Sequence, residues 1–186
     1  MQYIRNLRYI LFADDTSIFM SHKDPVILQT MFNDELIKIS KWLYMNKLSI
    51  NTSKTNFMMF TNKNIDIDQI TIKLAGSEIK YVSSLKFLGI TIDNKLTWKN
   101  HIDIICNKVS KNIGILYKLH MLPTVILKML YNAIVAPYFD YAISVWGSAA
   151  NTYLGRLFKL QKRAIRIIFH AKFLAHTIPI FYSLIF

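Results

Sequence analysis

Cysteine is all but missing: Cys106 is the single thiol in 186 residues. No disulfide framework can form within the chain, so an intracellular setting, nucleus or cytoplasm, is expected rather than secretion. The five histidines have no cysteine partners at ligand spacing, and no zinc site is legible. Five glycines and four prolines are too few for a collagen-like or linker-dominated chain. Long apolar runs are missing too. Arg5 and Arg8 precede Tyr9-Ile10-Leu11-Phe12-Ala13, but Asp14-Asp15 ends that run short of the roughly 7–15 residues of a signal-peptide core. No uncharged stretch reaches the ~18 strongly apolar residues of a span, so no transmembrane helix is expected. Acidic residues are scarce in one half only. Residues 94–186 hold 12 Lys and Arg against two acids, Asp103 and Asp140, a net +10; residues 1–93 hold 11 against 9, a net +2.

Hydrophobic residues make up 53% of the chain and charged residues 18%, too apolar for a disordered tail. The length suits one domain or two small ones. A net charge of +12 points to a polyanionic partner, nucleic acid first and an acidic membrane surface second. The charge asymmetry implies that the two halves do different work. The apolar end Phe181–Phe186 and the short lead before Asp14 make both ends read as cut from a longer chain.

Arg8–Ala13 and Thr16–Met20 are β-prone runs flanking Asp14-Asp15, which reads as the turn of a hairpin. Asp24 before Pro25 reads as an N-cap and first helical residue. Leu28, Phe32, Leu36, Ile39 and Leu43 then share one helical face, expected to pack across the hairpin, with the helix ending near Asn46. Leu48–Ile50 and Asn56–Phe60 read as short strands. Ile70–Leu74 and Glu78–Val82 bracket Ala75-Gly76-Ser77 as a second hairpin, and Lys86–Asp93 reads as one further strand.

The period then changes. Trp98, Ile102, Ile105, Val109, Ile113 and Leu116 mark an amphipathic helix over about 97–120. Pro123 opens another helix to Val135, Pro137 breaks it and Gly147 ends the next piece. In Asn151–Phe169, Leu154, Leu157, Leu160, Ala164, Ile165, Ile167 and Ile168 fill one arc; Arg156, Lys159, Lys162, Arg163 and Arg166 fill the other. The expected class is α+β, mixed over 1–93 and helical over 94–186. Trp42, Trp98, Trp146, Cys106 and the eight methionines read as core. His101, His120, His170 and His176 show no base–nucleophile partner and take no role.

The most pointed chemical feature is Phe12-Ala13-Asp14-Asp15. Adjacent carboxylates at the tip of an apolar hairpin repel each other unless water or a cation screens them. Such a pair can hold Mg²⁺, a hard ion that takes oxygen ligands, or it can be a solvated turn. The arc Arg156–Arg166 carries bases without acids. It can track phosphates, form a solvated helix face, or lie on a membrane; the spread of Lys and Arg over 95–172 favours a broad nucleic-acid groove.

The chain resembles the reverse transcriptases of non-LTR retrotransposons, in particular the jockey-like insect elements. Phe12-Ala13-Asp14-Asp15-Thr16 is similar to the family's Tyr/Phe-Ala-Asp-Asp box, and Asn46-Lys47-Leu48-Ser49-Ile50-Asn51 with Lys54-Thr55 to its next motif. Phe87-Leu88-Gly89-Ile90-Thr91-Ile92-Asp93 resembles the primer-grip strand, and Lys95-Leu96-Thr97-Trp98-Lys99-Asn100-His101-Ile102 the segment after it. Val145-Trp146-Gly147 and Leu160-Gln161-Lys162-Arg163-Ala164-Ile165-Arg166 are similar to downstream blocks. The boxes run in order through residues 9–169.

The resemblance implies a fragment of an RNA-directed DNA polymerase: the C-terminal part of the palm over 1–93, then a helical thumb and downstream basic region over 94–186. Asp14 and Asp15 would be catalytic, metal-binding carboxylates for Mg²⁺, with Mn²⁺ as a substitute. Phe12 and Ala13 would lie beside the primer terminus. Lys54 would approach the incoming triphosphate and its leaving pyrophosphate. Leu88 and Gly89 would set backbone against the primer, and Arg156, Lys159, Lys162, Arg163 and Arg166 would contact nucleic acid. The implied partners are an RNA template, a DNA primer and deoxynucleoside triphosphates. The family carries a further catalytic Asp and the fingers upstream of this box, and only 13 residues precede Asp14 here. The isolated chain is therefore expected to be inactive, as an enzyme fragment or as a nucleic-acid-binding remnant.

Overall fold

The computed structural model describes residues 7–172 and 174–180. The apolar end 181–186 and Arg5 lie outside the described residues. Two compact units make up the chain, Met1–Ser83 and Ser84–Phe186, and the class is α+β.

In the first unit, strands β1 (Arg8–Phe12) and β2 (Asp15–Phe19) pair antiparallel with Phe12 opposite Asp15. The turn is thus Ala13-Asp14, not the expected Asp14-Asp15, and Asp15 is the first residue of β2. The shift is possible because Ala13 takes a left-handed backbone, φ 52°, a conformation that costs a non-glycine residue about 1–2 kcal/mol. Helix α1 (Pro25–Met45) opens as expected: the Asp24 carboxylate accepts from the N–H groups of Val26 and Ile27 at 2.8 and 3.2 Å. Asn46 closes it.

Leu36 is buried with Ile70, Ile72, Leu74 and Ile79, and Phe32, Ile39 and Ile18 pack against this cluster. The hairpin's share of the core is therefore small. Tyr9, Ile10, Leu11 and Phe12 are all about half exposed, so neither face of β1 is covered. Leu48–Ile50 is not a strand, and Asn56–Phe60 shortens to β3 (Asn56–Phe57). The second hairpin is β4 (Lys73–Leu74) and β5 (Ser77–Glu78), and β6 (Lys80–Tyr81) pairs parallel with β3.

The second unit begins with β7 (Ser84–Phe87) and β8 (Ile90–Asp93), an antiparallel pair where one continuous strand was expected. Leu88 and Gly89 form its turn, both left-handed at φ 45° and 83°. Helices α2 (Lys99–Lys118), α3 (Thr124–Ile134), α4 (Ala136–Asp140), α5 (Ile143–Trp146) and α6 (Asn151–Ile168) follow. The read helix faces are the buried ones: Ile102, Val109, Ile113 and Leu116 of α2, and Leu157, Ala164 and Ile168 of α6, share one core. Trp98, Trp146 and Cys106 join it. Burial pushes the Cys106 thiol up, with opposing effects from nearby Arg156 and Asp103, so it stays protonated.

Two core assignments hold only in part or not at all. Met59 packs against the core of the first unit, but Met45, Met121 and Met129 stand mostly in solvent, and Trp42 is 40% exposed. Helical spacing identifies a face but not whether anything packs on it. Among the described residues no helix is long and apolar enough to cross a membrane.

Candidate polymerase and nucleic-acid site

The hairpin tip gathers Phe12, Ala13, Asp14 and Asp15, all exposed. A two-residue turn with a left-handed first residue is what fixes Asp14 at the apex. Its carboxylate and that of Asp15 are hard oxygen donors, and Mg²⁺ is commonly held by one or two carboxylates with water and phosphate oxygens completing the shell. The donors present suit one such ion. Among the described residues no group of three or more His, Cys, Asp or Glu side chains converges, so the protein donors of a two-ion site are incomplete here. Lys54 lies in the same unit, exposed, in a turn where its backbone N–H donates to Asn51 at 3.2 Å.

Leu88 and Gly89 lie in the other unit, at the β7–β8 turn. The Tyr141 hydroxyl donates to the Leu88 carbonyl at 2.6 Å. A Cβ on Gly89 would lie 3.4 Å from the Tyr141 ring, and with φ at 83° only glycine fits there without strain. The Tyr141 carbonyl in turn accepts from Trp146 Nε1 at 2.9 Å. The Trp146 ring sits edge-on to His101, centroids 5.8 Å apart, and His101 Nδ1 accepts from the Thr91 N–H of β8 at 3.2 Å. Gly147 must also be glycine, since a Cβ would meet the Ile143 carbonyl at 2.5 Å. Two adjacent sequence boxes, 87–93 and 95–102, and a third more than 40 residues further on are therefore one assembly, joined through Tyr141, that holds the Leu88-Gly89 turn.

Sequence reasoning passed over three members of that assembly. Asp93 ends β8, and its buried carboxylate accepts from the N–H groups of Lys95, Thr97 and Trp98 and from the Thr97 hydroxyl, at 2.9–3.2 Å. An Asp four residues before Thr97, just ahead of a helix, was a legible capping signal. Tyr141 carried none, because its partner is 53 residues away. His101 carries no sequence signal either, because its partner is the backbone N–H of Thr91 rather than a side chain at catalytic spacing.

His101 is buried, and burial first, with the Lys108 charge second, lowers its pKa. Its proton must sit on Nε2, because Nδ1 accepts. A base with a lowered folded pKa leaves the unfolded chain binding more protons. Stability is then complete above the ordinary histidine value near 6.5 and falls below it, by up to about 1.4 kcal/mol per pH unit. Urea unfolding of the chain and of His101→Gln between pH 7.5 and 5 should give a difference that shrinks with falling pH. A constant difference would contradict the buried neutral imidazole.

The basic residues of α6 are not equivalent. Arg156 forms an ion pair with Asp103. Lys162 lies over the Phe158 ring, 4.4 Å from its centroid. Arg166 Nε donates to the Ala175 carbonyl at 3.1 Å. Lys159 and Arg163 are exposed. The face remains strongly positive, with Asp103 its one acidic partner among the described residues.

The first unit carries a hairpin with carboxylates at its tip, and the second carries a helix with a basic face. The chain is similar to RNA-directed DNA polymerases of mobile elements over most of its length. It is 29% identical over 170 residues to the RNA-directed DNA polymerase from mobile element jockey of Drosophila funebris, covering 89% of this chain and 18% of that one. The Drosophila melanogaster jockey polymerase is 26% identical over the same coverage. A transposon BS protein of D. melanogaster is 29% identical over 161 residues, 84% of this chain. The chain thus spans about 18% of the length of the curated relatives it matches. No family model and no solved structure matches it.

Proposed function

We propose that this chain is the stretch of a retrotransposon reverse transcriptase that runs from the catalytic hairpin through the thumb. The observation that carries the reading is a carboxylate pair fixed at a hairpin apex in a chain related to jockey polymerases. In this reading 1–93 is palm and 94–186 thumb and downstream region. Asp14 and Asp15 would hold Mg²⁺ or Mn²⁺, which when bound in a complete enzyme activates the primer hydroxyl and neutralises the leaving pyrophosphate. Phe12 and Ala13 would border the primer terminus, and Lys54 would reach the triphosphate. The Leu88-Gly89 turn would set backbone against the primer, its position held by Tyr141.

The uncovered apolar faces of β1 fit a hairpin whose sheet continues in another part of the polymerase. Because no group of three or more His, Cys, Asp or Glu side chains gathers among the described residues, the chain by itself would bind nucleic acid without copying it. RNA template and DNA primer would lie along the second unit, and a reducing intracellular compartment suits the buried Cys106 thiol.

Binding is tested with labelled RNA and DNA oligonucleotides over a range of salt. Affinity should show little sequence preference and fall steeply with salt, since the contacts are to phosphates. Replacing Arg156, Lys159, Arg163 and Arg166 together by Gln should flatten the slope of log affinity against log salt. An unchanged slope would make this a solvated helix face.

A further inference from the structure

The C-terminal ends of α2 and α6 meet around a cleft of about 540 Å³ lined by Tyr117, His120, Arg163, Arg166 and His170. We propose that this cleft binds one nucleotide of a single strand, its phosphodiester on Arg163 and Arg166 and its base on the Tyr117 ring. The inference rests on the reading that the second unit holds nucleic acid.

Its volume lies within the range of small-ligand sites, and no carboxylate among the described residues lines it. Arg163 and Arg166 are one helical turn apart, so they share a face. The bond from Arg166 Nε to the Ala175 carbonyl fixes that guanidinium and leaves its terminal amino groups for a phosphate. Helix C-termini ordinarily repel anions through free carbonyls. Here several of those groups are engaged: the carbonyls of Ile115, Leu116 and Tyr117 accept from Leu119 and His120, and those of Arg166 and Ile167 accept from Ala171 and His170.

The stacking surface is also built in advance. His120 Nδ1 donates to the Tyr117 carbonyl at 2.8 Å, and the two rings stack with centroids 5.6 Å apart and planes at 21°. One face of Tyr117 is thus supported, and the residue remains 60% exposed, a platform of the kind on which bases stack. His170 occupies the left-handed residue that ends α6, φ 51°, where glycine is the usual choice. An imidazole on the cleft wall is present despite that backbone cost.

The test is fluorescence anisotropy of the whole chain with a labelled ten-nucleotide DNA and its abasic counterpart, competed by inorganic phosphate, with phosphatidylserine vesicles in a parallel arm. Arg163→Gln with Arg166→Gln should weaken both oligonucleotides and lower the salt slope by about 0.7, the value for one phosphate contact on a single strand. Tyr117→Leu should weaken the base-bearing strand about tenfold and spare the abasic one. His170→Gly should weaken binding while leaving the melting temperature unchanged or raised, which separates ligand contact from folding. Oligonucleotide binding that ignores all these variants would overturn the cleft and leave the wider nucleic-acid reading standing. No oligonucleotide binding at all would overturn both. Competition by inorganic phosphate as strong as by the strand, or vesicle binding alone sensitive to the variants, would overturn a strand as the occupant.

Discussion

Asp14→Ala, made in a longer polymerase chain that also supplies an opposing carboxylate strand, should lower primer extension by at least about a thousandfold, the loss of several kcal/mol of charge stabilisation. Asp14 is placed at the apex by a two-residue turn, Phe12 facing Asp15 across it. Alanine keeps that geometry and removes only the oxygen donors. Ala13→Gly makes the complementary control, since it relieves the left-handed backbone at Ala13 and leaves both carboxylates in place. The 186-residue chain alone should extend no primer with Mg²⁺ and deoxynucleotides, because carboxylates from one turn cannot align a hydroxyl for in-line attack. Initial rates and a Mg²⁺ titration of each variant give the result. Extension by the short chain, lost on Asp14→Ala, would show that the hairpin suffices.

Asp93→Ala should destabilise the second unit by about 3 kcal/mol, because three N–H groups and a hydroxyl lose a charged acceptor at once. The loop they hold is strained. Leu96 and Trp98 are both left-handed, at φ 52° and 61°, and such residues persist only where their surroundings over-determine them. The Asp93 carboxylate does so, and Trp98 is thereby buried as the chain turns into α2. Asp93→Asn keeps one acceptor oxygen and should cost less. Burial raises the Asp93 pKa, but the bonds from Thr97, Trp98 and Lys95 outweigh it and hold the value below that of an ordinary aspartate. A carboxylate with a lowered folded pKa contributes fully above about 3.9 and loses its contribution as pH falls through the folded value. The gap between wild type and Asp93→Asn in urea unfolding should therefore close on acidification below pH about 4. A gap that stays constant to pH 2 would mean the carboxylate's charge plays no part in holding the loop.

The apolar residues of β1 stand about half exposed. A two-stranded ribbon is marginal alone, and β1 offers both faces and an edge to a neighbour.

The sequence by itself determined the periodic features of this protein. Steps of three and four mark the α2 and α6 faces, Asp24-Pro25 marks the start of α1, and the order of short boxes marks the relationship to jockey polymerases. These are local patterns, and local geometry is enough to produce them. The tertiary structure decided what depends on distant partners. It moved the first turn to Ala13-Asp14 and split the Lys86–Asp93 run into two strands at Leu88-Gly89, because left-handed backbone at Ala13 and Leu88 is allowed only where the paired strands hold it. It left Trp42 and the outer methionines in solvent, since spacing names a face without naming what covers it. It also joined Leu88, Tyr141, Trp146, His101 and Thr91 into one chain of contacts and gave Asp93 four donors. Hydrogen bonds between residues 53 apart leave no period in a sequence, so that assembly became visible only once the chain had folded.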